Sequence, residues 1–198
     1  MTLCALLLNP LLQISSSLVA KQIEYEKTHL MHMEAERALE LMGRAIRMAG
    51  YQNIKSANQT IKNHRSVIEV QKMTGFQQSD ALTVRHQISD GVDFDCIGNV
   101  LTKDRTKYQL ALQGFLVDRQ AGLIKSTRTA AGSLICQSLD RHGRIQNSTL
   151  MNGVSFLSID ELPGLGSGQR AFRIKLKMTD GALIHKEFER TFTTRNLP

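Results

Sequence analysis

Three cysteines carry the clearest chemistry in this chain. Cys4 lies in an uncharged, leucine-rich opening, where a thiol behaves as a small apolar group. Cys96 and Cys136 each lie beside strand-like sequence. In an oxidising compartment they would form a disulfide, whereas in the cytosol they would remain buried free thiols. Neither has the second cysteine of a C-x-x-C pair, so their spacing does not predict a zinc site.

Two further clusters contain side chains that can bind metal ions. His29 and His32 are three residues apart on one side of a helical segment, but no cysteine accompanies them at ligand spacing. Asp90, Asp93 and Asp95 form a short acidic cluster without the twelve-residue loop and terminal glutamate of an EF-hand. We interpret the histidines as a solvated helix face and the aspartates as turn residues that bond their own backbone. We therefore expect no metal and no cofactor.

The sequence contains no pattern that assembles a catalytic site. It has no G-x-S-x-G elbow and no H-E-x-x-H helix, and serine, histidine and aspartate are scattered along the chain. The glycine-rich stretch 164–168 (GLGSG) precedes a predicted strand, whereas phosphate-binding loops of this kind open onto a helix. We predict no enzymatic activity.

A long helix is the element that organises the first quarter of the chain. Apolar side chains recur at helical spacing between Arg37 and Tyr51, and charged residues occupy the other faces. Gly50 is well placed to end the helix in the left-handed conformation. The predicted packing stripe consists of Ala38, Leu41, Met42, Ala45, Met48 and Ala49.

The segment Leu3–Ala20 contains no charged residue, and its length is near the lower limit for a helix that crosses a bilayer. Pro10 and the serines at 15–17 weaken it as a membrane span. A secretory signal peptide is the alternative interpretation, but no basic region begins the segment. We expect a retained membrane anchor whose packing residues are Leu3, Leu6, Leu7, Ile14 and Leu18.

The remainder of the chain is predicted to be mostly strand. Alternating patterns predict strands at 80–86, 108–112 and 154–159, and a hairpin that pairs residues 172–178 with 184–192. The polar faces of this hairpin are basic on one strand and largely acidic on the other, so we expect cross-strand ion pairs. Residues 53–78 and 103–129 show no sustained period and are predicted to be loops.

These patterns predict an α+β protein with two parts. We place a membrane anchor and stalk helix at residues 1–51 and a β-rich head domain at residues 52–198, with the helix packed on an antiparallel sheet. A head of this length can bury a core of its own.

Short motifs spread along the chain resemble those of one family. The opening resembles the mature amino terminus of type IV pilins, and Arg47–Tyr51 (RMAGY) is similar to the R-x-A-G-Y helix end of PilW-like minor pilins. Four further motifs follow in the order that family shows them: Asp80–Val84, Asp95–Gly98, Leu134–Cys136 and Met151–Val154. One position departs from the pattern, because Ala5 stands where pilins carry a glutamate.

The resemblance implies a pilin-like fold and a structural role. Such a subunit is a single-pass protein of the bacterial inner membrane with its head in the periplasm, and then becomes part of an extracellular pilus that serves cell adhesion and twitching motility. Its implied partners are other minor pilins, the major pilin and a tip adhesin, and its implied position is at or near the tip. The resemblance also supports a disulfide between Cys96 and Cys136, and implies N-methylation of Met1 where Met1 is the processed terminus.

Two alternative functions remain open. A formal charge of +7 attracts phosphate backbones, and several basic residues lie in predicted loops, which suggests a DNA-binding pilin for DNA uptake. No nucleic-acid-binding module is evident, so we favour the view that the charge keeps the subunit soluble or complements acidic neighbours. A minor pseudopilin of the J type from a type II secretion system would share the helix and the β-rich head.

Overall fold

A single long helix and a seven-stranded sheet form the described part of the chain. The computed structural model describes residues 2–53, 67–120, 131–163, 169–182 and 184–196, and describes helix side chains from Leu12 onward. Helix α1 spans Thr2–Met48. The chain divides into two compact units, Met1–Ala35 and Glu36–Pro198, so the last turns of α1 belong to the same unit as the sheet.

The sheet is an antiparallel meander in which every strand pairs with the next one along the chain. Together with α1 it confirms the predicted α+β class and the predicted packing of a helix on an antiparallel sheet. The strands are β1 (Ile68–Gln71), β2 (Ala81–His86), β3 (Ala111–Asp118), β4 (Gly132–Leu139), β5 (Ile145–Leu162), β6 (Ala171–Thr179) and β7 (His185–Thr193).

The last turns of α1 bury one face against the inner face of the sheet. Leu41 and Met48, which the sequence placed on this face, are only half-buried and lie at its edge. Gly50 ends the helix as predicted, with φ 73°, and its N–H donates to the Arg85 carbonyl at 3.1 Å. The buried face consists of Ala35, Ala38, Leu39, Met42, Ala45, Ile46 and Ala49.

The helix approaches the sheet most closely at Gly43. A Cβ atom at this position would lie 2.2 Å from Cε1 of Phe192 on β7, so only glycine fits without displacing the ring. The Arg47 guanidinium lies 5.9 Å from the centroid of the same ring, and Nδ2 of Asn196 donates to the Arg47 carbonyl at 2.9 Å. The end of the helix is thereby fixed to the last strand and to the residues that follow it.

The predicted hairpin is confirmed in full as β6 and β7. The predicted ion pairs also form, because Lys175 Nζ lies 3.2 Å from Glu189 Oε2 and Lys177 Nζ lies 3.3 Å from Glu187 Oε2. The apolar side chains on the opposite face of β6 are all buried: Phe172, Ile174, Leu176 and Met178.

Two parts of the chain predicted as loops contain strands. Strand β1 lies within 53–78 and has only four residues, too few for a period to emerge.

The predicted strand at 108–112 is wrong in its position. Tyr108 and Gln109 adopt φ values of 56° and 63° and form a tight turn between Lys107 and Leu110. Strand β3 begins only at Ala111. Its buried face carries the polar Gln113, and Leu112 and Leu116 on the other face are half-buried, so its apolar alternation is weak.

Asp80 connects β5 to the turn before β2, although β3 and β4 lie between these two strands. Its buried carboxylate accepts hydrogen bonds from the backbone N–H of Ile159 at 2.8 Å, from Lys72 Nζ at 2.9 Å and from the Met73 N–H at 3.1 Å. The Asp80 N–H donates to the Leu157 carbonyl at 2.8 Å. These bonds hold β5 close to the turn before β2, so the sheet curves around the face that packs against α1.

Replacing Asp80 with asparagine tests this connection. In Asp80→Asn the amide cannot accept from all three donors, and the charge opposite Lys72 is lost, so we expect the free energy of unfolding to fall by about 2 to 3 kcal/mol in urea denaturation. The control is Asp160→Asn, because Asp160 also pairs with Lys72, at 2.8 Å, but is half exposed. We expect that control to lose at most about 1 kcal/mol. Equal losses in the two variants would contradict the role given to Asp80.

Candidate functional site

Helix α1 exposes large apolar side chains along residues 12–33. Their exposed fractions lie between 49% and 71%, and they include the predicted packing residues Ile14 and Leu18. The side chains of Leu3, Leu6 and Leu7, like those of Met1, Cys4 and Ala5, lie outside the described part of the chain. The exposed residues are Leu12, Ile14, Leu18, Val19, Ile23, Tyr25, Leu30 and Met33.

These residues form two stripes on opposite sides of the helix. Leu12, Val19, Ile23 and Leu30 are spaced by seven, four and seven residues, which places them on one face. The second stripe contains Ile14, Leu18 and Tyr25 at spacings of four and seven. Sequence reasoning missed the first stripe because charged residues interrupt it from Lys21 onward, although its seven-residue spacing was a readable signal.

Among the described residues, no helix combines the length and the apolar character that crossing a bilayer requires.

The candidate metal ligands hold other roles in the structure. His29 stacks on Tyr25 with 6.3 Å between ring centroids. Asp93 accepts from the Ser89 N–H at 2.7 Å, and Asp95 accepts from the N–H groups two and four residues later, so these two aspartates bond their own backbone as predicted. Within the described ranges, no three His, Cys, Asp or Glu side chains come together in a way that could hold a metal ion.

Cys96 and Cys136 form a disulfide, with 6.1 Å between their Cα atoms. Cys136 is fully buried on β4 and faces the core, while Cys96 lies in the connection between β2 and β3. An isolated bridge between Phe94 and Val100 shapes the loop around Cys96. The Arg105 guanidinium lies 3.7 Å from the Asp95 carboxylate beside it. The disulfide therefore fixes a long connection to the inner face of the sheet.

The segment that follows the helix is bound to Gln87, which comes directly after the buried His86 at the end of β2. His86 is 1% exposed, and its Nδ1 lies 2.9 Å from the Gln87 carbonyl, so Nδ1 carries the hydrogen. Its Nε2 accepts from the Gln113 amide at 3.3 Å. Gln87 in turn donates from its N–H to the Tyr51 carbonyl at 2.9 Å and accepts from the Asn53 N–H at 2.7 Å.

Burial lowers the pKa of His86 below its ordinary value of 6.5. The Gln87 carbonyl and the charge of Asp93 raise this pKa, and the charge of Arg44 on α1 lowers it, but burial is the largest influence. The neutral ring donates to the Gln87 carbonyl and accepts from the Gln113 amide. A proton on Nε2 would face the donating amide of Gln113, so protonation of His86 in acid would disrupt this arrangement.

Comparison of the chain with models of protein families, with characterised protein sequences and with solved structures finds no match. The resemblance to PilW-like minor pilins therefore rests on the sequence motifs alone.

Loss of the disulfide should destabilise the head. In a Cys96→Ser, Cys136→Ser double variant we expect the free energy of unfolding to fall by about 3 to 4 kcal/mol, because the unfolded chain regains the entropy of a long open loop. The measurement is urea denaturation of the full-length chain in neutral detergent, with Cys4→Ser as the control that should change little. Three titratable thiols in the denatured, unreduced wild-type chain would contradict the bridge.

Stability should decline in mild acid because of His86. The unfolded chain takes up the proton near pH 6.5 while the folded ring resists it, so the stabilisation is complete above that pH and is lost as pH falls toward the lowered folded pKa. We expect the free energy of unfolding, measured by urea denaturation at a series of pH values, to fall by up to about 1.4 kcal/mol per pH unit. His86→Asn should flatten the curve in this window, and the exposed His142→Gln should not. Parallel curves for the wild type and His86→Asn would refute the assignment.

Proposed function

We propose that the chain is a minor pilin, a structural subunit that primes the assembly of a type IV pilus and is incorporated at or near its tip. The observation that carries the proposal is the apolar surface of α1 between residues 12 and 33, which the chain itself leaves exposed. Contiguous apolar surface of this kind marks a site of association. The R-x-A-G-Y helix end and the ordered motifs of the head support the same family.

Two apolar stripes favour a helix with several neighbours. A helix in a simple two-helix pair needs one stripe, whereas a helix inside a bundle of subunits is contacted from more than one side. The stripe of Leu12, Val19, Ile23 and Leu30 and the stripe of Ile14, Leu18 and Tyr25 could each meet a different helix. Full burial of each aliphatic side chain contributes about 1.5 to 3 kcal/mol, so assembly has a substantial driving force.

Before assembly, the same segment would hold the subunit at the inner membrane with its head in the periplasm. The absence of charge from Leu3 to Ala20 supports this part of the proposal. The Cys96–Cys136 disulfide supports a head outside the cytosol, because such bonds persist in oxidising compartments. Extraction into a filament would then transfer apolar side chains from lipid to other pilins.

Placing charges in one stripe tests the proposal. In an Ile23→Lys, Leu30→Lys double variant, two side chains would have to enter the filament core as cations, so we expect incorporation into sheared pili to fall about tenfold or more. Immunodetection of the subunit in sheared filaments measures this. The control is Thr149→Lys, Asn147→Lys, which adds the same charge to the exposed face of β5.

The outcomes separate the proposal from its alternatives. The thermal unfolding of the head should be the same in both variants, since the changes lie outside its core. Normal incorporation of the helix variant would refute a packing role for the stripe. Normal pili together with a block in the export of a type II secretion substrate would instead identify a minor pseudopilin.

A further inference from the structure

Two turns of the head lie side by side and carry most of the basic residues near the disulfide. The segment Lys103–Arg105 begins the first turn, and the second turn joins β4 to β5. Arg105 Nη1 donates to the Leu139 carbonyl at 3.4 Å. A Cβ atom on Gly143 would lie 3.5 Å from the Thr106 carbonyl oxygen. The two turns therefore form one continuous surface.

Four exposed cations project from this surface, and we call them the basic turn patch: Lys103, Lys107, Arg141 and Arg144. In the described part of the chain none of the four lies within salt-bridge distance of a carboxylate. The cations on the outer face of β6 differ, because Arg173, Lys175 and Lys177 each pair with a glutamate of β7.

The two aspartates of these turns are engaged by their own segments. Asp140 accepts from the N–H groups of His142 and Arg144, both at 2.8 Å. A hydrogen bond from Thr102 is the largest influence that lowers the pKa of Asp104, and the charges of Arg141 and Arg105 add to it. The surface thus carries four exposed cations and two carboxylates, which leaves an excess of positive charge.

Tyr108 directly follows Lys107 of the patch and is an exposed aromatic residue in a backbone conformation that side chains rarely adopt. Tyr108 is 60% exposed and adopts φ 56°, and Gln109 after it adopts φ 63°. Side chains other than glycine, asparagine and aspartate rarely occupy this region, since the Cβ atom is crowded there. The Lys107–Leu110 backbone bonds, at 3.0 and 3.1 Å, hold the turn closed. Strain of this kind is concentrated at functional sites.

We infer that the basic turn patch and Tyr108 bind the phosphodiester backbone of a nucleic acid. The charges of Arg141 and Arg144 act on Asp104 and Asp140, but none of the four patch cations is in a close ion pair among the described residues. Each can therefore contact phosphate without first giving up a carboxylate, as the cations of β6 must. An exposed ring beside such cations can stack on a base of a single strand, which an acidic protein surface does not offer. The inference concerns the head alone and holds whether or not the helix enters a filament.

Two double variants of equal charge change test this inference. Lys103→Gln, Arg141→Gln removes two charges from the patch, and Lys175→Gln, Lys177→Gln removes two from the ion-paired face of β6. Fluorescence anisotropy with the full-length chain in neutral detergent would measure binding to a labelled duplex and to a labelled single strand over a salt series. We expect the patch variant to bind at least about tenfold more weakly than the wild type. On duplex DNA, the slope of log K against log salt concentration should become shallower by roughly 1.8, and the control should stay close to the wild type.

A second variant pair separates stacking from charge. Tyr108→Ala should weaken single-strand binding roughly fivefold or more, and Tyr108→Phe, which keeps the ring, should preserve it. Absence of binding to either nucleic acid at about 50 mM salt would overturn the inference. Equal weakening by the patch and β6 variants would also overturn it, because the effect would then follow net charge. So would equally tight binding to poly-glutamate of matched length, which would point to an acidic protein partner.

Discussion

The packing of the last turns of α1 against the curled sheet is the interaction on which the rest of the structure depends. Leu39, Met42 and Ile46 are fully buried there, and each contributes about 1.5 to 3 kcal/mol through its burial. Gly43 allows the helix backbone to approach the Phe192 ring directly. This packing uses the apolar face of residues 38–49, whereas the large apolar side chains named above between residues 12 and 33 are exposed.

The head is held in shape by a few long-range connections made by small numbers of atoms. Asp80 binds β5 across two intervening strands, the disulfide fixes the β2–β3 connection to β4, and His86 with Gln87 secures the segment that leaves the helix. Each connection brings together groups that are distant in sequence, so each one reduces the freedom of a loop that the sheet alone would leave unconstrained.

Local sequence patterns predicted the parts of the fold that local patterns determine. The β6–β7 hairpin was predicted correctly because the apolar residues of β6 alternate strictly and turn residues follow them, and Gly50 was correct because a left-handed helix end favours glycine. Strand β1 was missed because it is very short, and β3 was missed because Gln113 lies on its buried face while leucines lie on its other face. Asp80 and His86 could not be recognised, since their roles arise from strands that the curl of the sheet brings together. The disulfide depended on the compartment, which periodicity does not reveal.

The net charge of +7 is unevenly distributed over the head, because some cations form ion pairs and others do not. On the outer face of β6 and β7, basic and acidic residues alternate across the pair, so this face contributes cross-strand attraction and little net field. At the two turns that carry the basic turn patch, exposed cations outnumber carboxylates. A field from a fixed surface acts with the same geometry in every copy of the subunit. At the proposed position in a filament tip the patch would be presented once, so its affinity for a polyanion would rest on these cations and not on repetition along the filament.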